Sequence, residues 1–135
     1  MLRVTLPSLA LLLALPFAAQ AASLKDHQLN QTLEKVAKES SVGTPRAINE
    51  DILDEGYTVQ DNVLIDHLSV LPSHAEQMRS NPDAVRNQLG ASVCHNSGYR
   101  QLMAQGAVLR YQFSEYQTKK PVAIQNYVAA DCAAK

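Results

Sequence analysis

Cys94 and Cys132 are the only two cysteines in 135 residues, and the chain that carries them opens like an export leader. In "MLRVTLPSLALLLALPFAAQA", Arg3 supplies a short positive region. An apolar run over residues 9–15, extended by Phe17, follows it. Ala19-Gln20-Ala21 then forms the small-x-small pattern that signal peptidase reads. Cleavage near Ala21/Ala22 delivers the rest to a compartment where disulfides form and persist. An even count with no third thiol points to a single Cys94–Cys132 bridge. Such a bridge closes a loop of roughly 39 residues, for which the chain-entropy estimate is about 4 kcal/mol. Typical domains are stable by only about 5–15 kcal/mol, so the staple limits which folds this chain can hold. It also ties down the last few residues, which would otherwise fray.

His95, next to Cys94, raises other readings of the same stretch, "ASVCHNSGYRQ". Attachment of a c-type haem needs a second cysteine three residues before Cys94, and none is there. A cysteine nucleophile needs a histidine facing it across a site, which a sequence neighbour rarely supplies. Zinc needs four ligands at recognisable spacing, and His27, His67, His74 and His95 show none. No cysteine follows the cleavage site to carry a lipid anchor, and no later apolar run approaches the roughly 20 residues of a bilayer span. The expected product is secreted or periplasmic, with no membrane span. Without Arg3 the acidic residues are slightly in excess. No basic block exceeds Lys119-Lys120, which argues against nucleic acid as a partner. Residues 1–21 thus read as a signal peptide and 22–135 as one domain.

Helical spacing of Leu29, Leu33 and Val36 predicts a helix over residues 24–41, ended by Gly43 and Pro45. Residues 57–60 and 63–71 read as strands around an Asp61-Asn62 hairpin turn. Leu64, Leu68 and Val70 share one strand face that Asp66 interrupts. That pattern implies a register shift or a partly buried carboxylate, with an edge position or a salt bridge as its ordinary explanation. Ser73 and Glu76 are spaced as a capping box. Asn81-Pro82-Asp83 starts a further helix, along which Val85, Leu89 and Val93 lead to Cys94. A short helix over residues 98–105 stops at Gly106. Leu109, Tyr111 and Phe113 alternate with polar residues in a strand whose hairpin partner spans residues 122–128. The expected fold is α+β: a mostly antiparallel sheet built from two hairpins, with several helices on one face and one disulfide.

Few motifs carry chemistry. Glu50, Asp51, Asp54 and Glu55 lack the spacing of a calcium loop and read as a solvated surface. Asp66 and His67, as strand neighbours, point to opposite faces and cannot serve one site with Ser69. No nucleophile elbow is present, and no motif specifies a cofactor or a metal. Arg100 lies close behind Cys94, where its guanidinium is expected to hydrogen-bond carbonyls around the bridge; anion or ligand binding, with Tyr99 and Arg110, is the other reading. Asp66, Arg100 and Tyr111 are therefore the candidate interaction or structural residues.

The stretches "GTPRAINEDILDEGYTVQDNVLIDHLSV" and "ASVCHNSGYRQLMAQGAVLRYQFSEYQTKKPV", with the terminal cysteine, resemble a family of small secreted pseudomonad proteins described as quorum-sensing-regulated virulence factors. Ile48-Asn49, Cys94, Arg100, Leu102, Gly106, Tyr111 and Cys132 also fit a looser pattern shared by exported domains. The resemblance implies an exported α+β protein under cell-density control and supplies no catalytic residues. The expected activity is binding to another protein rather than catalysis, with a homodimer as one possible arrangement. A periplasmic chaperone-like or inhibitor module is the alternative, and a small hydrolase with an unrecognised site a third.

Overall fold

Helix α1, Phe17–Ser40, opens the structure, a computed structural model that describes residues 17–133. The first sixteen residues of the expected leader lie outside that range. Leu29, Leu33, Val36 and Ala37 form one stripe of α1, and Leu29, Leu33 and Ala37 are fully buried. Gly43, at a φ of 80°, turns the chain out of the helix, as a glycine just past a helix end commonly does.

Five strands follow in a single sheet ordered as they occur in the chain. They are β1 Arg46–Ala47, β2 Ile52–Gln60, β3 Val63–Val70, β4 Val108–Glu115 and β5 Pro121–Tyr127. The β2–β3 turn is Asp61-Asn62, both left-handed at φ 48° and 64°, the conformation a two-residue hairpin with right-handed twist demands. Every neighbouring pair is antiparallel except β3 and β4, which run parallel from Val63↔Val108 to Val70↔Glu115. A parallel pair needs a long crossover, and three helices supply it: α2 Pro72–Ser80, α3 Pro82–His95 and α4 Ser97–Ala104. The two expected hairpins are therefore joined side by side through a parallel seam.

The helices pack on the face that presents Leu64, Leu68 and Val70 of β3 and Leu109 and Phe113 of β4. One buried cluster joins α1, β3, β4, Val93 of α3, and Leu102 and Met103 of α4. A second sets Ala75 and Met78 of α2 against Leu68, Val70 and Phe113. Among the described residues no helix covers the opposite face, with His67, Arg110, Gln112, Ile124 and Asn126.

Two expected caps take a different form. Proline at the first position starts α2 at Pro72, so Leu71 occupies the N-cap and Ser73 lies inside the helix with no capping bond. Glu76 instead accepts a hydrogen bond from Arg79 at 2.9 Å. Asn81 does stand before α3, but its side chain donates to the Gln77 carbonyl and closes α2. The side-chain cap of this region is Asn96, whose Oδ1 accepts from the Tyr99 N–H at 3.0 Å.

Between Asp54 and Gly56 the β2–β3 register slips by one residue. This bulge leaves Glu55 without a partner and increases the local twist. Gly56 has a φ of 113°, and a Cβ there would stand 3.2 Å from Thr44 Oγ1. Only glycine is at ease in that backbone region. Gly56→Ala is expected to lower stability by about 1–3 kcal/mol, read as a lower urea midpoint at unchanged slope.

Candidate functional site

The bulge determines what surrounds Asp66. Asp54 and Tyr57 are three residues apart, so a regular strand would aim them at opposite faces. With the extra residue between them, Asp54 pairs with Leu68 and Tyr57 with Asp66, both on the helix side. Asp66 is 6% exposed and Asp54 2%. Across the parallel seam Asp66 meets Tyr111, and Tyr99 of α4 lines the same small void as Tyr57. The void among Tyr57, Asp66, Tyr99 and Tyr111 is only about 10 Å³, far below the few hundred Å³ of a substrate pocket.

Burial pushes the Asp66 carboxyl up to about 8, helped by a hydrogen bond and repulsion from Asp54 and opposed by the Tyr57 hydroxyl and Arg46. Asp66 Oδ1 has no hydrogen-bond partner, so the neutral acid avoids a buried, unmatched charge. Burial first, then the same carboxylates and neighbouring tyrosines, raises the Tyr57 and Tyr111 hydroxyls above their ordinary range. Burial in this closed interior favours the neutral form of Asp66. Asp66 lies on a central strand with no salt bridge among the described residues, and neither an edge position nor an ion pair there accounts for it.

Tyr111 leads outward to a second feature. Its ring meets Tyr127 edge to face at 6.1 Å, and the Tyr127 hydroxyl donates to the Arg86 carbonyl at 2.7 Å. The Arg86 guanidinium lies over the Tyr127 ring, 4.8 Å from its centre. It donates to Gln125 Oε1, the Asn126 carbonyl and Asp131 Oδ1. Asp131 Oδ2 in turn accepts from the Val128 N–H. This brace holds the 3-10 turn Ala129–Cys132, and Cys132 is bonded to Cys94 with their Cα atoms 5.3 Å apart. A groove of about 710 Å³ runs between α3 and this segment, past Gly90, Ala91, His95, Ala130 and the disulfide.

Of the residues singled out from sequence, the fold brings Asp66 and Tyr111 together and Cys94 to Cys132. Arg100 stands apart, exposed beside Met103 and Cys132, with no side-chain hydrogen bond among the described residues. The arginine that gathers carbonyls near the bridge is Arg86. The sequence held one hint of it, an arginine one residue after Val85 on the helix that delivers Cys94. Its partners, 39 to 45 residues away, were not legible. Among the described residues no three His, Cys, Asp or Glu side chains come together to hold a metal ion. No described helix is long and apolar enough to cross a membrane.

Residues 22–133 match the family described as "Putative quorum-sensing-regulated virulence factor". The chain belongs to this family. A crystal structure of a "putative secreted protein" from Pseudomonas aeruginosa is 69% identical, with a TM-score of 0.79 over 81% of this chain and 96% of that one. Two structures share the fold at low identity. The type 2 secretion system pilotin EpsS from Vibrio vulnificus is 14% identical, with a TM-score of 0.66 over 84% of this chain and 99% of its own. The type II secretion system pilotin AspS from Vibrio cholerae is 16% identical, with a TM-score of 0.65 over 83% and 99%. No curated protein sequence gives a significant match.

For this family member, the raised Asp66 carboxyl sets the sign of a pH dependence. The folded protein holds a proton that the unfolded chain releases near pH 4. Stability from this group is full below that pH and is lost as pH rises through about 8, at up to about 1.4 kcal/mol per pH unit. Asp66→Asn, which mimics the protonated acid, is expected to flatten that slope and to raise the melting temperature more at pH 8 than at pH 5. Equal effects at both would place the proton elsewhere.

The two arginines separate in a second measurement. Arg86→Ala is expected to cost about 1–3 kcal/mol through lost charge-assisted hydrogen bonds. Arg100→Ala should stay within about 0.5 kcal/mol. Chemical denaturation of both variants, disulfide intact, checks the ranking.

Proposed function

We propose that the protein is exported through a leader cleaved near Ala21/Ala22 and acts by binding another exported protein, as a small chaperone-like or assembly module. The observation that carries this reading is the fold it shares with two secretion-system pilotins, matched over 99% of each of those chains. The family match, which begins at residue 22, and the 69% identical relative described as secreted support the export step.

A tagged copy, cross-linked in the native cell and purified, tests the proposal. The expected product starts at Ala22 by N-terminal sequencing and carries one exported or envelope protein in constant ratio. That partner, made separately, should re-form the complex with the purified protein in size-exclusion chromatography with light scattering. A homodimer alone, or a retained small molecule with no protein, would overturn it.

A further inference from the structure

The acidic run at residues 50–55 does not stay together in the fold. Asp54 turns inward to Asp66, whereas Glu50 and Asp51 line a pocket of about 300 Å³ at one end of the helix-free sheet face. Glu55, the extra residue of the bulge, reaches the same place by accepting a 2.9 Å hydrogen bond from Ser69, which also lines the pocket. The bulge thus sends one carboxylate of the run into the interior, while two line an opening and a third is hydrogen-bonded to Ser69 in its wall.

The pocket itself is mainly apolar. Ile52, Leu53, Leu71 and Tyr116 contribute its walls and floor. Leu71 is 39% exposed and Tyr116 41%, which is unusual for such side chains side by side. Their positions are fixed by backbone bonds: the Leu71 N–H donates to the Asp51 carbonyl at 3.0 Å and the Tyr116 N–H to the Val70 carbonyl at 2.8 Å. Asn49 Oδ1 accepts from the N–H groups of Asp51 and Ile52, at 2.8 and 2.9 Å, and holds the acidic turn beside them. The Asp51 carboxylate is 48% exposed, with the His74 imidazole 3.9 Å away. Lys119 and Lys120 lie in the turn beyond Tyr116 and do not line the pocket.

We propose that this pocket is a docking site for a protein segment in which one aromatic or aliphatic anchor is flanked by lysine or arginine. About 300 Å³ is the lower end of the range for ligand pockets and suits one large side chain. The apolar walls favour burial of the anchor, and Glu50, Asp51 and Glu55 attract the flanking cations and steer their approach. An arginine or lysine stem can also lie along Leu71 with its charge toward the carboxylates and the Tyr116 ring. The same carboxylates repel anionic lipid headgroups and nucleic acid. The inference rests on the protein-binding reading above and names the surface and the chemistry of the partner.

Three fluorescein-labelled peptides test it, each a glycine-serine chain around a central motif: Lys-Lys-Trp-Lys-Lys, Glu-Glu-Trp-Glu-Glu or Lys-Lys-Ser-Lys-Lys. Anisotropy titration is expected to rank the first peptide at least about tenfold tighter than either other one. Amide shifts on binding should concentrate at residues 47–53, 69–71 and 116. Leu71→Asp should abolish the preference, and combined Glu50→Lys and Asp51→Lys should reverse it, both at an unchanged melting temperature. Equal binding of the three peptides, or shifts centred on Arg86 and Tyr127, would overturn the proposal. Cellular cross-linking with Leu71→Asp separates the two readings. A partner still captured by that variant removes this pocket and leaves the protein-binding function. Peptide binding mapped here, with no cellular partner for the unaltered protein, does the opposite.

Discussion

The parallel seam between β3 and β4 is the constraint on which the remaining architecture depends. Two antiparallel neighbours can be joined by two residues, as Asp61 and Asn62 join β2 to β3. Strands that run the same way force the chain to travel back along the sheet. That return occupies residues 71–107 and is spent on α2, α3 and α4. A crossover lies on one side of a sheet, so these helices join α1 in covering one face and leave the other bare. Asp66 meets Tyr111 only because of the seam, and Cys94 reaches the C-terminal segment only because α3 belongs to the return.

Most elements were readable in the residue pattern because they rest on local physics. The stripe of α1, the left-handed pair at Asp61-Asn62, the proline that opens α3 and the glycine that closes α4 each act within a few residues. The disulfide was readable for another reason: two thiols with no third leave one pairing. The parallel seam was not, since Val108–Glu115 alternates in the same way whichever strand it joins. The capping box at Ser73 failed because Pro72 already fixes the first helical turn, two residues earlier than the hydroxyl pattern implied. A single unpaired residue, Glu55, moved Asp54 to the buried face, and no periodicity in "ILDEGYTVQ" announces where a strand will slip. Arg100 and Arg86 both stood near the bridge in sequence; only the return of β5 beneath α3 decides between them.

The candidate site joins two environments with opposite demands. Around Asp66 burial favours the neutral acid. Around Arg86 the chain surrounds the guanidinium with oxygen acceptors and an aromatic face. Tyr111 and Tyr127, in edge-to-face contact, connect the two. Gly90 permits the second: a Cβ there would lie 3.2 Å from the Tyr127 ring, so α3 could not approach β5 as closely with any larger residue.

The helices' hold on β5 also bears on how the protein behaves when crowded. β5 is a terminal strand of the sheet, and an open strand edge is a template on which chains of the same kind can add to one another. Here Arg79 donates to the Pro121 carbonyl at 2.9 Å and Arg86 to the Asn126 carbonyl at 3.0 Å, while Pro121 has no N–H to offer. Both ends of the strand are thus spoken for by groups from the protein's own helices. Lateral addition of another strand at β5 therefore finds no continuous ladder to copy.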